Sequence, residues 1–370
     1  MNYYYTFLFA LLFISQISCA QKDEEIQDVE QDYKFEVVTD QLEIPWGLDF
    51  FEDGTMIATE KQGKMYLIKN DYLTEISNVP KVIVKGQGGL LDVKIHPNFS
   101  KNKWIYISYA HSEDGKNANT RIVRAKLENN TLSDIIEIYK GDPDTDKPYH
   151  FGSRIEFGSD GYMYFSIGDR GNRDQNPQDI TRDGGKIYRV HEDGSIPQDN
   201  PFVNEKGAKT AIYSYGHRNT QGMEVHPETG KMWTHEHGPK GGDEINIIEK
   251  GKNYGWPVIS YGINYDGTIF TEKTHQEGME QPIYAWVPSI APSGMTFVTS
   301  DKYPELKGNL LVGALKFAYL EHCVLDGEKV VKRERILKNI GRLRSVKQSP
   351  DGFIYAGVEG VGIVRILPLQ

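Results

Sequence analysis

The chain repeats one short structural unit six times. Each copy is an alternating apolar run, a turn commonly built on Asp-Gly or Pro-x-x-Gly, and a second apolar run. Two strands cannot bury a face by themselves, so repeated units of this kind fold by stacking on one another. The copies lie at Leu48–Thr59, Val93–Tyr109, Ile155–Ile167, Met223–Thr234, Met295–Val312 and Val346–Ala356.

The spacing of these copies indicates the architecture. Six copies between residues 44 and 368 give roughly 54 residues each, close to one propeller blade with its loops. The sequence therefore predicts an all-β fold, a six-bladed β-propeller with a central cleft. The alternative, two β-sandwiches in tandem, requires a linker near mid-chain, and the sequence has none there. In the propeller, loops are expected near 111–120, 171–184 and 191–210.

The N-terminus has the features of an export signal. Phe7–Ile17 is apolar, too short to span a bilayer and followed by the small residues Ser18-Cys19-Ala20. Two processing routes remain open: cleavage that frees the protein, or lipidation of Cys19 that tethers it to a membrane. Either route predicts an exported protein, periplasmic or a cell-envelope lipoprotein. The expected organisation is a signal peptide at 1–19, a polar tether at 20–34 and the propeller domain at 35–370.

Charge and cysteine content limit the partners and the disulfides that the protein can have. The formal net charge of −10 argues against a phosphate-backbone partner, so no nucleic acid is expected. Cys323 is the one cysteine besides Cys19, which leaves no intramolecular disulfide once the leader is removed. Cys323 lies in an apolar run, so we expect it to be buried and inert.

Basic residues occupy equivalent places in several repeats. Arg218 directly precedes the fourth unit, and Lys316 lies between two apolar strands. Arg342 and Arg344 precede the sixth unit and alternate, so both should face the same way. Each cation alone is explained by a solvated strand edge. Together, converging on one cleft, they suit a small molecule with several carboxylates.

The stretch HEHGPKGGDEIN, residues 235–246, allows two metal hypotheses. His235 and His237 share a face of a strand, but no third nitrogen or sulfur ligand is nearby, so zinc is weakly supported. The glycine-rich turn frees carbonyl oxygens that, with Asp243 and Glu244, suit calcium. A tight turn with a solvated acid pair explains the same residues without a metal.

His150 precedes the third unit as Arg218 precedes the fourth. Asp169 follows an out-and-back strand pair that can return it close to His150. A carboxylate there would fix the imidazole tautomer and raise its basicity. The alternative is an ordinary loop histidine.

Gln87 lies in a second glycine-rich stretch. This stretch is not a phosphate-binding loop, because no Gly-Lys-Ser/Thr follows it. Its glycines instead favour a loop that approaches the cleft closely and presents Gln87 there.

Taken together, the motifs resemble those of the soluble PQQ-dependent sugar dehydrogenases, the glucose/sorbosone dehydrogenase type, and most of all the aldose sugar dehydrogenase branch. The resemblance covers roughly residues 40–368. It implies a six-bladed propeller with pyrroloquinoline quinone (PQQ) in a central cofactor cleft. The motifs that carry it, in chain order, are HFGSR, SDGYMYFSIGDRG, GHRNTQG, HEHGPKGGDEIN, GKNYGWP, WVPSIAPSGM, GALK and GRLRSV.

The resemblance implies roles for matching residues. His150 would be the general base, Asp169 its partner, and Arg218 would polarise the quinone. Gln87 would contact sugar and base. The cofactor-binding set would be Arg218, Asn219, Tyr265, Lys316, Arg342 and Arg344. The carbonyls of Gly238 and Pro239 would ligate the catalytic calcium, and Glu244 and Tyr254, the latter through its carbonyl, a second calcium.

The implied reaction oxidises the anomeric hydroxyl of an aldose to a lactone. The electron acceptor, a quinone or a cytochrome, would be a separate molecule, because the chain has no C-x-x-C-H haem motif. Two other functions stay open: a calcium-dependent sugar lactonase, which has little use for the cations, and a non-catalytic glycan-binding lipoprotein. Ser153 and Thr220 depart from the family pattern and leave sugar preference in doubt.

Overall fold

The computed structural model describes residues 27–28 and 33–369, and over these residues the strands form six antiparallel blades of four strands each. Blades one to three consist of β3 (Pro45–Phe50), β4 (Met56–Glu60), β5 (Lys64–Lys69) and β6 (Tyr72–Glu75); β7 (Leu90–Ile95), β8 (Trp104–His111), β9 (Asn119–Glu128) and β10 (Thr131–Lys140); and β11 (Ile155–Phe157), β12 (Met163–Ile167), β13 (Lys186–Val190) and β14 (Ile212–Tyr215). Blades four to six consist of β15 (Thr220–Val225), β16 (Met232–Glu236), β17 (Asp243–Ile247) and β18 (Tyr284–Trp286); β19 (Pro292–Phe297), β20 (Leu310–Ala314), β21 (Tyr319–Asp326) and β22 (Lys329–Ile336); and β23 (Arg342–Gln348), β24 (Ile354–Glu359), β25 (Gly362–Pro368) and β2 (Tyr33–Thr39). A one-turn helix, α1 (Phe99–Asn102), joins β7 to β8.

The first strands of the blades contact one another in cyclic order, β3 to β7 and onward to β23, which returns to β3. This ring confirms the six-bladed propeller and shows that the tandem-sandwich alternative is wrong. Each predicted repeat falls on the first and second strands of one blade. The predicted insertions are loops, although the connection at 248–283 in blade four is longer than any of them.

The ring is closed by the two ends of the chain. β2 pairs antiparallel with β25, with Tyr33 opposite Pro368, so an N-terminal strand completes the C-terminal blade. β1 (Gln27–Asp28) lies parallel to β22 in blade five. Both strands reach into the segment predicted as a tether. The signal peptide and Cys19 lie outside the described residues, and within residues 33–369 no helix is long and apolar enough to cross a membrane.

Apolar clusters fill the gaps between neighbouring blades, which explains why the repeats fold only together. One cluster joins Ile57 of blade one to Ile107 of blade two. Another joins Trp233 of blade four to Val312 of blade five and includes Cys323, which is fully buried. Burial raises the pKa of that thiol well above its ordinary value, so the cysteine is inert as predicted.

Charged side chains fill the central channel. Lys94 lies 2.6 Å from Glu156, and Lys347 lies 2.9 Å from Glu224 and 3.8 Å from Glu156. Burial lowers the pKa of Lys94, but Glu156, together with Asp49 and Glu224, raises it above its ordinary value. The void that remains along the channel is only about 30 Å³. The axis is therefore a plug of ion pairs and not an open passage.

One end of this axis collects residues that are distant in sequence. The first strand of each blade runs away from that end and the second strand returns to it. Segments before a first strand, such as the one holding His150, therefore meet segments after a second strand, such as the one holding Asp169. The 248–283 connection also passes over this end, because Trp256 contacts Asp169 and Tyr265 lines the cavity there.

Candidate active site

A cavity of about 260 Å³ opens at the end of the axis where these segments meet. The predicted residues Gln87, Tyr265, Arg342 and Arg344 all line it. The other walls combine apolar side chains with the polar side chains of Gln221 and His237, so the cavity can bind a ligand that has both polar groups and an apolar face. These walls are formed by Trp46, Leu91, Phe151, Gly152, Gln221, His237, Ala291 and Leu315.

His150 and Asp169 form a hydrogen-bonded pair beside the cavity, as the strand spacing predicted. His150 Nδ1 lies 2.6 Å from Asp169 Oδ1, and the two side chains are only 13% and 1% exposed. The indole of Trp256 donates to Asp169 Oδ2 over 2.9 Å, which fixes the other oxygen. Because the carboxylate accepts from Nδ1–H, Nε2 is left as the basic nitrogen of His150.

The surroundings keep His150 neutral and Asp169 ionised. Burial, reinforced by the Arg218 guanidinium, lowers the pKa of His150 although Asp169 acts in the opposite direction. Burial by itself raises the pKa of Asp169, but His150 and then Arg218 hold it below its ordinary value. A neutral imidazole oriented by a carboxylate is the arrangement that a general base requires.

Gln87 holds the backbone of His150. Its side-chain oxygen accepts from the His150 N–H over 2.8 Å, and its own N–H donates to the Pro148 carbonyl over 2.7 Å. His150 itself has a left-handed backbone, with φ 59°. Gln87 therefore lies between the cavity and the base, where the resemblance placed a residue that contacts both sugar and base.

Glu236 positions Arg218 and Asn219. Its carboxylate accepts from the backbone N–H of both residues and, over 2.9 Å, from His217 Nδ1. The Arg218 guanidinium donates to the His237 carbonyl over 3.0 Å and lies 5.2 Å from the Trp256 ring. Glu236 was not among the residues predicted from the sequence. The available signal was its position between His235 and His237, because alternation along a strand places its side chain on the face opposite to theirs.

Two buried donors in this cluster have no hydrogen-bond partner in the described part of the chain. They are Arg218 Nε and Asn219 Nδ2. Asn219 is 1% exposed and uses its side-chain oxygen to accept from the Gly152 N–H over 3.0 Å. Buried donors without partners are costly and rare. They fit a bound molecule that presents oxygen acceptors, such as quinone or carboxylate oxygens.

The two arginines of blade six share one carboxylate. Arg342 Nε lies 2.7 Å from Glu359 Oε2, and Arg344 pairs with the other oxygen of the same side chain. The prediction that both arginines face the same way is confirmed. Lys316 lies in the turn between β20 and β21, where it is exposed and does not line the cavity. It stands at the rim, with Nζ 4.9 Å from the Phe317 ring.

The turn at 238–242 is held by Asp243. Its two carboxylate oxygens accept from the N–H groups of Gly238 and Ala291, each over 2.8 Å. Gly238 is required because a Cβ there would lie 2.1 Å from the Gly242 carbonyl oxygen. Asp243 therefore shapes the turn, a role that the calcium hypothesis from the sequence did not include. The Pro239 carbonyl accepts from Ser289 over 3.2 Å.

The histidine-based metal hypothesis is wrong. His235 Nε2 lies 3.2 Å from the Gly294 carbonyl, and His237 Nε2 lies 2.8 Å from that of Pro292. Burial lowers the pKa of His235 to about 3. Both rings thus serve as neutral donors to blade five. Within residues 33–369, no group of three or more His, Cys, Asp or Glu side chains suits a metal ion.

Glu236 and Glu244 face each other across β16 and β17 and line one small void of about 10 Å³. Burial, with the nearby Glu236, raises the pKa of Glu244 to about 8. Gly238 and Tyr254 line the same void. The Tyr254 hydroxyl donates to the Ile247 carbonyl over 2.6 Å. Two facing buried carboxylates and nearby carbonyls are oxygen ligands of the kind calcium takes.

Comparison with known proteins agrees with this geometry. The family model described as Glucose / Sorbosone dehydrogenase matches residues 42–364. The chain belongs to this family. Aldose sugar dehydrogenase YliI of Escherichia coli K12 is 39% identical over 328 residues, which cover 86% of this chain and 88% of that one. Quinoprotein glucose dehydrogenase B of Acinetobacter calcoaceticus is 32% identical over 62% of this chain and 53% of its own.

Solved structures of glucose/sorbosone dehydrogenase relatives share the fold. The apo form of the soluble aldose sugar dehydrogenase from Escherichia coli superposes with a TM-score of 0.88 at 38% identity, covering 91% of this chain and 99% of that chain. The PQQ-bound form of an aldose sugar dehydrogenase from Streptomyces coelicolor gives 0.76 at 25% identity, covering 90% and 97%. The family assignment thus extends over the whole propeller.

The two departures from the glucose/sorbosone dehydrogenase pattern lie next to the site. Ser153 is fully buried with φ 90°, a backbone region that favours glycine, and its hydroxyl donates to the Phe151 carbonyl over 3.2 Å. Thr220 is 1% exposed at the start of β15. Neither side chain replaces a group of the His150 pair, so the departures affect the shape of the backbone around it.

Proposed function

We propose that this protein is a PQQ-dependent aldose sugar dehydrogenase, which oxidises the anomeric hydroxyl of an aldose to its lactone with PQQ as hydride acceptor. The observation that carries the proposal is a neutral, carboxylate-oriented His150 beside buried donors without partners. The relatives named as aldose sugar dehydrogenases, one of them PQQ-bound, support the substrate class and the cofactor.

His150 supplies the base. Asp169 holds Nδ1–H, so Nε2 takes the proton from the anomeric hydroxyl while the hydride leaves the anomeric carbon and the lactone C=O forms. Burial and Arg218 keep the imidazole neutral and ready to accept that proton. Gln87 holds the base through its backbone N–H and lines the cavity, where it can also contact the sugar.

The cationic groups fit PQQ. When bound, PQQ supplies an electrophilic carbon that accepts hydride, with calcium as Lewis acid. Arg218 and Asn219 would donate to its oxygens through their unpartnered nitrogens. Arg342, Arg344 and the rim residue Lys316 would bind its carboxylates. Tyr265, which is 73% exposed at the cavity, would be covered by packing on the planar ring system.

Calcium would be held by oxygen atoms of blade four. The carbonyls of Gly238 and Pro239 lie in the turn that Asp243 shapes, and they would ligate the catalytic ion. Glu244, with the Tyr254 carbonyl, would ligate a second ion in the small void, where the facing Glu236 adds a further carboxylate. A cation there would relieve the repulsion between the two acids.

The proposal is tested by reconstitution. Residues 23–370 would be purified, loaded with PQQ and calcium, and assayed for dye reduction with a panel of aldoses, with and without chelator. Reduction that depends on both additions is expected. Sugar-lactone hydrolysis without PQQ would indicate the lactonase instead, and glycan binding without PQQ binding would indicate a binding module. The proposal also includes a separate electron acceptor, a quinone or a cytochrome, and an exported location, either periplasmic or as a cell-envelope lipoprotein.

Arg344→Ala is expected to weaken PQQ binding by about 10- to 150-fold, because a charge-assisted hydrogen bond contributes roughly 1.5–3 kcal/mol. Titration of the apoprotein with PQQ, followed by tryptophan fluorescence, measures the dissociation constant. Arg365→Ala is the matched control, since Arg365 lies in the same blade but pairs with Glu36 at the outer edge. Equal affinities for Arg344→Ala and the unaltered protein would remove Arg344 from the cofactor site.

A further inference from the structure

Arg170 is a buried cation that the proposed mechanism does not use. It is fully buried, yet in the described part of the chain its guanidinium makes no ion pair with a carboxylate. Its partners are the main-chain carbonyls of Tyr149, of Lys147 over 2.9 Å and of Ala118 over 3.2 Å. Asp169 and Asp144 favour its charge electrostatically but do not pair with it, and burial still lowers the pKa of Arg170 below its ordinary value. A buried charge that is only partly compensated is costly, so a specific role for it is worth seeking.

Its carbonyl partners belong to the segment that leads into His150. The carbonyls of Lys147, Pro148 and Tyr149 are all bound: the first and third by Arg170, and the middle one by the Gln87 N–H over 2.7 Å. The segment is thus fixed from two sides immediately before the base. The third carbonyl that Arg170 binds belongs to Ala118, in the β8–β9 loop, and Ala118 also forms a β-bridge with Thr145. Arg170 therefore connects the segment before His150 to the β8–β9 loop.

Arg170 also supports the wall of the cavity. Its guanidinium carbon lies 3.5 Å from the centre of the Phe151 ring, and Phe151 lines the cavity. Arg170 therefore contacts both neighbours of His150: the carbonyl of Tyr149, which precedes it, and the ring of Phe151, which follows it. Between these contacts His150 has φ 59°, a backbone conformation that is uncommon for non-glycine residues.

We propose that Arg170 is a positioning residue that holds the backbone of the general base His150 in its reactive orientation, while its neighbour Asp169 holds the imidazole ring. Asp169 acts through Nδ1, and Arg170 acts through the Lys147 and Tyr149 carbonyls. Asp169 and Arg170, which follow β12 in the chain, thereby set the tautomer and the position of the base. The inference rests on the proposed function for its catalytic consequence but not for its structural one.

The test uses Arg170→Ala and Arg170→Lys in the full chain. Turnover of the reconstituted Arg170→Ala enzyme is expected to fall by about 10- to 100-fold, the usual effect of removing an outer support of a catalytic group. PQQ affinity should change by less than about twofold, because Arg170 is not placed among the cofactor-binding groups. Added guanidinium ion at millimolar concentration is expected to restore part of the turnover. Arg170→Lys should remain impaired, because one ammonium nitrogen does not reproduce the two guanidinium nitrogens that reach the three carbonyls, nor the planar group that lies over the Phe151 ring.

A second readout does not need activity. In the unaltered apoprotein, the His150 Nδ1 proton bound to Asp169 should give a downfield NMR resonance, assigned by its loss in His150→Ala. We expect Arg170→Ala to shift or broaden it and guanidinium to restore it. If the resonance responds but no protein oxidises aldoses, the positioning role stands and the dehydrogenase proposal fails.

Arg189→Ala is the matched control for folding. Arg189 lies in the same blade, is 5% exposed, and pairs with Asp160 and Asp199 away from the cavity. It should lower stability without changing the resonance, the turnover of folded protein or the response to guanidinium. A folded Arg170→Ala variant with an unaltered His150 resonance, or with turnover reduced only as far as in Arg189→Ala, would overturn the proposal.

Discussion

His150→Ala is expected to lower turnover by about 10²- to 10⁴-fold, the range that a positioned general base contributes. The physical basis is the geometry of the imidazole: Asp169 holds Nδ1 at 2.6 Å, which leaves Nε2 as the basic nitrogen. PQQ affinity should stay unchanged, because His150 is placed among the proton-transfer groups and not among those that bind the cofactor. Single-turnover reduction of bound PQQ by an aldose measures the chemical step directly.

The control for this variant is His191→Ala, an exposed histidine at the end of the same blade that should leave turnover unchanged. The pH profile gives a further check. The neutral imidazole is the active form, and its pKa is lowered from 6.5 by burial and Arg218, so the acid limb of kcat/KM should lie below pH 6.5. Equal single-turnover rates for His150→Ala and the unaltered enzyme would exclude His150 as the base.

Glu156→Leu is expected to lower the free energy of unfolding by about 3–5 kcal/mol, the usual cost of breaking a buried ion pair from one side. Glu156 lies 2.6 Å from Lys94 and 3.8 Å from Lys347 in the central channel. Its removal leaves Lys94 charged and buried with no carboxylate at contact distance among the described residues. Urea unfolding followed by tryptophan fluorescence measures the loss.

A double variant separates charge from packing. Lys94→Met with Glu156→Leu removes both charges and should recover most of the stability, because paired replacement by apolar residues is commonly near neutral. The exposed pair Lys64–Glu75, at 3.3 Å with each side chain 56% exposed, supplies the control. Lys64→Ala should leave the stability nearly unchanged, because exposed ion pairs contribute little. A Glu156→Leu loss no larger than that of Lys64→Ala would show that the channel pairs contribute little to stability.

The repeat pattern was enough to predict the blades because each unit buries a face only against its neighbours. Alternation within Ile155–Ile167, for example, marks the first two strands of blade three. The same repeat brought His150 and Asp169 together, since the second strand returns the chain to the end where the first began. Position within the repeat was thus sufficient to predict convergence of these residues.

Other features depend on contacts that no local pattern records. Glu156 and Lys347 sit at inner-strand positions, and their ion pairing arises only when the ring closes. Glu359 meets Arg342 and Arg344 across a strand pair, and Glu236 binds a segment from the preceding connection. The roles of Asp243 and Arg170 likewise follow from hydrogen bonds to the backbone, which the identity of a side chain does not predict.

The pairing of β2 with β25 has a consequence for the order in which the molecule is assembled. Tyr33 leaves the ribosome long before its partner Pro368. Blades one to five can stack as they emerge, but the sixth must wait for β25, so this step joins contacts of very large sequence separation and is intrinsically slow. Until then β25 has an unpaired outer edge, the kind of surface that recruits other chains. The pairing that completes the sixth blade therefore makes β25 necessary for closing the ring.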